Sequence, residues 1–143
     1  MSADSLVEML ERDEGRVRYA YQDSLGYWTI GVGHLIDKRL GGGLPDPIID
    51  ALLAYDIAEK SAQLVKEFPW VERLDEARRA VLVCMTFQLG IGGLSRFKNA
   101  MTEMMLGKYG AAAHAFLQSK VAREQAPARW QRFAQQIRSG QWQ

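Results

Sequence analysis

The spacing of apolar side chains changes period early in this chain, and that change limits the folds the chain can adopt. Residues 5–14 place Leu6 and Leu10 four positions apart, as expected on one face of a short helix. Residues 17–22 then alternate apolar and polar side chains, which is typical of a half-exposed β-strand. Most later apolar segments have the length and spacing of helices. The pattern therefore predicts an α+β fold that is mainly α-helical, with a small β-hairpin near the N-terminus.

Local residue chemistry places a turn and several helix boundaries. Asp23, Ser24 and Gly26 have turn chemistry, and residues 27–30 are rich in the β-forming side chains of a returning strand. Residues 37–45 contain three consecutive glycines and are expected to form a flexible surface loop. The predicted helices are a first one over 5–14 with a Ser5–Glu8 capping box, a long one from Asp46 to Phe68, a buried central one that Asp75 begins and Gly90 ends, two short ones near 95–106 and 108–118, and a last one from Pro127 to Gly140.

Composition excludes several classes of protein. The chain has 143 residues, about the usual size of one globular domain, and its 48% of hydrophobic residues argues against disorder. Its single cysteine, Cys84, cannot form an internal disulfide and is expected to be a small apolar residue of the buried central helix. The formal net charge is +1, so the overall charge does not indicate nucleic-acid binding.

The sequence has no segment that resembles a membrane span or an export signal. It lacks a run of about 18 uninterrupted apolar residues. Its first 14 residues alternate charged and apolar side chains and lack the apolar core of a secretory signal. We therefore expect a protein that is made in the cytoplasm and does not insert stably into a membrane.

Positive charge is concentrated near the C-terminus. Residues 108–143 contain six basic side chains and one acidic side chain, whereas residues 1–107 contain 12 basic and 16 acidic ones. A basic segment of this kind is attracted to a polyanionic surface such as cell wall, lipid or nucleic acid. The alternative interpretation is a solvated helix face, and the charges alone do not separate the two.

Three polar residues lie close together in sequence around the predicted hairpin. Glu14 ends the first helix, Asp23 lies in the turn, and Thr29 lies on the returning strand. Two carboxylates that flank an open cleft are what glycoside hydrolysis requires. Each residue also has an ordinary structural interpretation, as a solvated helix residue, a turn former and a β-branched strand residue. Gly31 and Gly33, at the end of that strand, predict close backbone approach or a bend.

The surroundings of the two carboxyl groups favour different protonation states. The partial negative charge at a helix C-terminus disfavours a carboxylate, so Glu14 is favoured in its protonated form. Asp23 lies in a polar turn and is expected to be ionised. The hydroxyl of Thr29 can help Asp23 to hold a water molecule.

Two sequence strings resemble a known enzyme family. MLERDEG at 9–15 and YQDSLGYWTIGVGH at 21–34 are similar to the catalytic segment of the phage-type muramidases. These are the lysozymes of T-even bacteriophages and related endolysins, which form glycoside hydrolase family 24. This chain and the family share the same spacing: eight residues separate a glutamate from an aspartate, and five residues separate that aspartate from a threonine. The resemblance continues through the central helix and the closing segment, so it covers most of the chain.

The resemblance implies a role for each of these residues. Glu14 is the implied general acid, Asp23 positions the attacking water, and Thr29 supports that water. Arg129 is placed beside Glu14, where a guanidinium would favour the ionised carboxylate and oppose the helix-end effect. The other implied residues are Leu35 and Phe87 as substrate contacts, His34 and Asp56 as an ion pair joining the hairpin to the long helix, and Gln88 as a supporting residue of the central helix.

The implied fold is lysozyme-like, with two lobes in a single domain over 1–143. The small lobe is expected over about 15–46 and the linking helix over about 47–68. The helical lobe is expected over 69–143, together with the N-terminal helix 5–14. A cleft between the lobes would hold the substrate.

The implied activity is hydrolysis of the β-1,4 bond between N-acetylmuramic acid and N-acetylglucosamine in peptidoglycan, with inversion. The expected partner is the glycan strand, and the expected enzyme is a monomer that binds no nucleic acid. It reaches the wall from the host cytoplasm after a holin has opened the membrane. No cofactor is implied. A metal site is not expected, because His34 and His114 are far apart in sequence and no other ligands cluster with them.

Other classes of protein stay open at this stage. One is a catalytically silent relative that keeps the fold and only binds glycan. Another is a protein that disrupts membranes through its cationic C-terminal helices. Within the enzyme class, a transglycosylase would leave a 1,6-anhydro product, although Asp23 and Thr29 argue for a held water.

Overall fold

The computed structural model describes residues 5–143, which form α-helices and one small β-sheet. In chain order the elements are α1 (Leu6–Glu14), β1 (Val17–Gln22), β2 (Trp28–Gly31), β3 (His34–Leu35), α2 (Asp46–Glu67), α3 (Glu76–Ser95), α4 (Lys98–Met105), α5 (Tyr109–Leu117) and α6 (Pro127–Ser139). Short 3₁₀ turns over Lys38–Leu40 and Pro69–Arg73 and a π-helical turn over Val121–Gln125 lie between them. The predicted α+β fold, mainly helical and lysozyme-like, is confirmed.

Helix α1 begins as its sequence predicts. The Ser5 hydroxyl accepts a hydrogen bond from the Glu8 amide at 3.2 Å, which satisfies one of the free N–H groups at the helix start. The helix ends at Glu14, and the Gly15 amide donates to the Glu11 carbonyl at 2.9 Å. Glu14 therefore lies at the helix C-terminus, as predicted.

The sheet has three antiparallel strands in the order β1-β2-β3. The predicted hairpin of β1 and β2 is confirmed, with Tyr21 opposite Thr29 and Gln22 opposite Trp28. The third strand, β3, was not predicted, because it has only two residues and a period cannot be recognised over so short a segment. It places Leu35 opposite Thr29 on the other side of β2.

The described chain divides into two compact units. The first, here called the sheet unit, ends at Leu52 and contains α1, the sheet and the start of α2. The second, the helical unit, runs from Leu53 to Gln143. The structure groups α1 with the sheet unit, whereas the sequence assigned the N-terminal helix to the helical lobe. The division into a small lobe, a linking helix and a helical lobe stays a prediction.

Aromatic packing around Trp130 organises the core of the helical unit. Its buried indole lies 5.7 Å from the Phe97 ring, 6.1 Å from Phe116 and 5.8 Å from Phe133, measured between ring centroids. These residues come from α6, α5 and the segment before α4, so one side chain joins three parts of the unit. Trp130 and Ile137 are both fully buried, so this face of α6 packs into the core.

Helix α3 differs from its prediction in two ways. It continues past Gly90 to Ser95, with a kink at Gly90, whose φ of 71° is outside the helical region. The helix is also not buried all round, because Cys84 is exposed and Phe87 is 41% exposed. The prediction of Cys84 as a core residue was therefore wrong. An apolar run does not show which side of a helix lacks a neighbour.

Among residues 5–143, no single helix is long and apolar enough to cross a bilayer. Helices α3 and α4 reach the required length and apolar composition only when taken together, and they are bent by 106° relative to each other.

The predicted loop over 37–45 contains an ordered turn. Asp37 is buried, and its carboxylate accepts two hydrogen bonds from the Arg39 guanidinium and a third from the Arg39 amide. The expected surface loop therefore contains a short 3₁₀ turn over Lys38–Leu40, and its flexibility stays a prediction. An aspartate before a short helical turn is a recognised capping signal, and the neighbouring glycines obscured it.

The Asp37–Arg39 pair leads to a pH-dependent stability. The Arg39 hydrogen bonds lower the pKa of Asp37 below its usual range. Because the folded pKa is lower than the unfolded one, the stabilisation is complete above about pH 4 and is lost as the pH falls through the folded pKa. Replacing Asp37 by Asn should lower the melting temperature at neutral pH, and this difference should narrow below pH 4. Melting curves of the wild type and of Asp37→Asn, recorded from neutral pH to below pH 4, test this prediction. A difference in melting temperature that stays constant in acid would contradict it.

Candidate active site

The Glu14 carboxyl group lies over the backbone of Gly33. A Cβ atom built at Gly33 would lie 2.9 Å from Glu14 Oε2 and 3.1 Å from its Cδ and Cγ, closer than a side chain tolerates. Gly33 also has a φ of 66°, which disfavours residues other than glycine. Within residues 5–52, no side chain or backbone group forms a hydrogen bond or ion pair with the Glu14 carboxyl group. The predicted close approach near Gly33 is confirmed, and the approaching group is the candidate acid.

Replacing Gly33 by alanine should move the Glu14 carboxyl group. The new methyl group would displace it, and the left-handed backbone would cost about 1–2 kcal/mol of stability. Because a misplacement of about 1 Å can cost about 100-fold in rate, we expect a loss of that order in the clearing of bacterial wall suspensions. Gly41 is a matched control, since its φ is 69° and nothing lies within 4 Å of a Cβ there. Gly41→Ala should lose similar stability but keep its activity, and equal activity losses in both variants would contradict this account.

The turn between β1 and β2 holds Asp23 in a fixed orientation. Its Oδ1 accepts hydrogen bonds from the backbone amides of Leu25 and Tyr27, both at 2.9 Å. Its own amide donates to the Tyr27 carbonyl, also at 2.9 Å. Within residues 5–52, the second carboxylate oxygen, Oδ2, has no hydrogen-bond partner. One oxygen thus anchors the side chain, and the other is free to accept a hydrogen bond.

The Tyr27 peptide connects Thr29 to Asp23. Thr29 is only 5% exposed, and its hydroxyl donates to the Tyr27 carbonyl at 3.1 Å. That carbonyl also accepts the Asp23 amide, and the Tyr27 amide donates to the Asp23 carboxylate. With its proton directed to Tyr27, the Thr29 hydroxyl has lone pairs left to accept a hydrogen bond. The sequence did not predict the part played by Tyr27, because a backbone group leaves no signal in residue type.

Two more predicted residues lie on the short strand β3. Leu35 is half-buried and directly opposite Thr29, and residues in opposite positions project from the same face of a sheet. The His34 ring Nε2 is hydrogen-bonded to the Gly43 carbonyl, which ties the strand to the glycine-rich segment. Asp56, the partner predicted for His34, is half-buried in the helical unit, and that ion pair stays a prediction.

The helical unit contains an apolar groove of about 590 Å³ that includes two predicted residues. Phe87 from α3 and Arg129 from α6 both line it, and Cys84 lies beside them. Cys84 is exposed, but the groove partly shields its thiol from water, which raises the thiol pKa, although the Arg129 charge opposes that rise. The contact predicted between Arg129 and Glu14 stays a prediction.

Gln88 has a structural contact within the same unit. Its side-chain oxygen accepts a hydrogen bond from the buried Trp130 indole N–H at 3.1 Å. A buried indole N–H requires such a partner, so the supporting position predicted for Gln88 has a physical basis. Among residues 5–143, no group of three or more His, Cys, Asp or Glu side chains is arranged to hold a metal ion.

The fold and the site together define a class of protein. One compact unit carries a helix-end glutamate over a glycine and an aspartate fixed in the turn of a small antiparallel sheet. The other unit is a set of helices packed on an aromatic core. This is the architecture of a lysozyme-type glycoside hydrolase.

The chain belongs to the phage lysozyme family. The sequence profile of that family matches residues 11–135, which is most of the chain. The match includes the glutamate, aspartate and threonine around the hairpin. The chain is therefore a glycoside hydrolase with the peptidoglycan-hydrolysing function of lysozymes.

The relatives of the chain differ in length. It is 28% identical over 162 aligned residues to the probable T4-type lysozyme 1 of Dictyostelium discoideum, with 95% of each chain covered. It is 33% identical over 126 residues to the endolysin of Salmonella phage P22, with 81% of each covered. It is also 30% identical over 130 residues to the pre-baseplate central spike protein Gp5 of Enterobacteria phage T4. That alignment covers 73% of this chain but spans 23% of the spike protein.

Proposed function

We propose that this protein hydrolyses the β-1,4 bond between N-acetylmuramic acid and N-acetylglucosamine in a single displacement with inversion. The observation that carries the proposal is the pair of carboxyl groups at Glu14 and Asp23, which lie in different local environments. In an inverting hydrolase, one group protonates the leaving oxygen while the other activates a water on the opposite face of the sugar. The two carboxyl groups are then about 6.5–9.5 Å apart, which leaves room for that water.

Glu14 is the proposed general acid. It lies at the C-terminus of α1, and its carboxyl group lies over the backbone of Gly33. No group within residues 5–52 engages its oxygens, so the proton is free to move to the glycosidic oxygen. In the course of the reaction Glu14 gives its proton to the leaving sugar and becomes a carboxylate. From the family resemblance, Arg129 is proposed to stabilise that carboxylate.

Asp23 and Thr29 are proposed to hold the attacking water. The free Oδ2 of Asp23 accepts one water proton and acts as the general base, since Oδ1 is already occupied by two backbone amides. The Thr29 hydroxyl accepts a hydrogen bond from the other O–H of the water, which stays on the water oxygen, because its own proton is directed to the Tyr27 carbonyl. The water oxygen thereby presents a lone pair to the anomeric carbon. Its attack forms one C–O bond as the glycosidic C–O bond breaks, and Asp23 receives the proton.

Substrate contacts are proposed for one residue of each unit. Leu35 lies opposite Thr29, so a sugar bound near Thr29 would meet its side chain. Phe87 offers a 41% exposed aromatic ring to a sugar face. His34 and Asp56 are proposed to join the hairpin to α2, and Gln88 to support the core beneath Phe87.

The biological setting is proposed from the same family membership. The enzyme would act as a monomer on the cell wall, from the host cytoplasm, after a holin has opened the membrane. The basic side chains of residues 108–143, including Arg123, Arg132 and Arg138, are exposed and would favour encounter with the anionic wall.

Mass spectrometry of the fragments released from purified peptidoglycan tests the bond and the reaction type together. We expect fragments that end in reducing N-acetylmuramic acid. Fragments that end in N-acetylglucosamine would show that a different bond is cut. Fragments that end in a 1,6-anhydro sugar would show transglycosylation in place of attack by water.

A further inference from the structure

A second groove lies on the sheet unit and shares no residue with the proposed reaction. It has a volume of about 900 Å³ and is lined by Gln22 and Trp28 of the hairpin and by Ile36, Lys38 and Arg39 of the following segment. All of these residues belong to the sheet unit. Successive residues of a strand project from opposite faces, so Trp28 and Thr29 point in opposite directions. The groove therefore lies on the face of the sheet that Thr29 does not occupy.

Trp28 provides an exposed aromatic surface in this groove. Its side chain is 46% exposed, although it lies in a strand, while the next residue is buried. Gln22 is directly opposite Trp28, and its amide group donates a 3.4 Å hydrogen bond to the Gly26 carbonyl. An indole face flanked by an amide group fits a sugar ring, because the apolar C–H face stacks on the indole while the N-acetyl and hydroxyl groups bond to the amide.

The same groove is lined by two cations, Lys38 and Arg39, and by buried Asp37, which is ion-paired with Arg39. Arg39 donates to both oxygens of buried Asp37 and lies over the Tyr27 ring, with 5.1 Å between its guanidinium carbon and the ring centroid. These side-chain contacts use two of its five N–H groups, so three remain available to a ligand. Lys38 is exposed, and within residues 5–52 it has no ion-pair partner. Lys38 and the remaining N–H groups of Arg39 are therefore suited to bind a carboxylate.

We propose that this groove is an accessory binding site for a peptidoglycan strand, with Trp28 stacked on a sugar ring and Lys38 and Arg39 bound to stem-peptide carboxylates. The inference rests on the proposed function for its choice of glycan. Charge complementarity supports this occupant, since a peptidoglycan strand carries sugar rings and carboxylates at adjacent positions. An accessory site would hold the enzyme on the insoluble wall between cleavage events without taking part in bond breaking.

Binding of the full chain to purified sacculi tests the site, in a Glu14→Gln background so that the wall is not digested. We expect Trp28→Ala to raise the dissociation constant about tenfold, and Trp28→Phe to restore most of the binding. Lys38→Glu should also weaken binding, and this effect should fade at high salt because exposed charges are screened. Trp142→Ala is the matched control, since Trp142 is 62% exposed and lies outside the groove.

Activity measurements on the protein that keeps its native Glu14 separate this inference from the proposed function. In that form, Trp28→Ala should raise the KM for sacculi and leave the turnover of short soluble fragments unchanged. Binding of Trp28→Ala and Lys38→Glu equal to that of Trp142→Ala would overturn the accessory site, provided that their melting temperatures show folded proteins. A wild-type chain that binds sacculi through Trp28 but releases no fragments would overturn the proposed function and keep the accessory site.

Discussion

Replacing Glu14 by glutamine is expected to lower the rate of peptidoglycan hydrolysis by about 100- to 10,000-fold, the usual contribution of a general acid. Glutamine has nearly the same size and keeps the side chain over Gly33, but it has no proton of suitable acidity for the leaving sugar oxygen. The fold should be unaffected, because within residues 5–52 the Glu14 carboxyl group has no hydrogen-bond partner to lose. The measurement is the initial rate of clearing of a suspension of bacterial walls, with the melting temperature as a check on folding.

Glu11→Gln is the matched control for this prediction. Glu11 lies one turn earlier on α1, and its carboxylate is paired with Arg16 at 2.7 Å on the surface. Losing that exposed pair should cost at most about 1 kcal/mol and leave the rate unchanged. Equal rates for Glu14→Gln and the wild type would contradict the assignment of the acid. Dye release from anionic vesicles by Glu14→Gln, at the wild-type level and with full lysis of cells, would instead favour the membrane-disrupting alternative.

Replacing Trp130 by alanine is expected to remove about 3–5 kcal/mol from the free energy of unfolding, the usual cost of deleting a large buried aromatic side chain. The change would leave a cavity against Phe97, Phe116 and Phe133 and would also leave the Gln88 oxygen without its indole donor. Small domains have a total stability of about 5–15 kcal/mol, so the variant should be close to unfolding at room temperature. The midpoint of urea denaturation, followed by circular dichroism of the helices, measures the loss.

Trp130→Phe separates packing from hydrogen bonding in this prediction. Phenylalanine keeps an aromatic ring in the cluster but cannot donate to Gln88, so the loss should be clearly smaller than for alanine. A loss below about 1 kcal/mol for Trp130→Ala, which is typical of surface positions, would show that this cluster is not the centre of the core.

Helix positions in this chain followed closely from local signals. Ser5 and Asp75 begin their helices by accepting amide hydrogen bonds, as their side chains allow. The last helix begins at Pro127, whose ring fits the first helical position. These signals act over three or four residues, so one sequence is sufficient to find them.

Features that depend on distant parts of the chain were not predictable in the same way. Cys84 is exposed although it lies in an apolar run, because exposure depends on which elements pack against each side of α3. The two-residue strand β3 exists because turns at Gly31 and Gly33 return the chain to β2, and no periodicity identifies so short an element.

The candidate site also has features that could not be predicted from the sequence. The spacing of Glu14, Asp23 and Thr29 predicted the reacting groups, and the family resemblance predicted their roles. The backbone contacts that orient these side chains are visible only in the folded structure. They are Gly33 beneath the Glu14 carboxyl group and the Tyr27 peptide between Asp23 and Thr29. Peptide groups occur at every position, so residue type does not show which of them are used.

The stereochemistry of the new chain end tests the central claim most directly, namely that water held by Asp23 attacks the sugar on the face opposite the proton donor. Proton NMR of a soluble glycan fragment, recorded within minutes of adding enzyme, reports which anomer forms before mutarotation. Since the cleaved bond is β, direct attack by the held water predicts that the α-anomer of N-acetylmuramic acid accumulates first. Initial formation of the β-anomer would show retention, and would contradict a single displacement by that water.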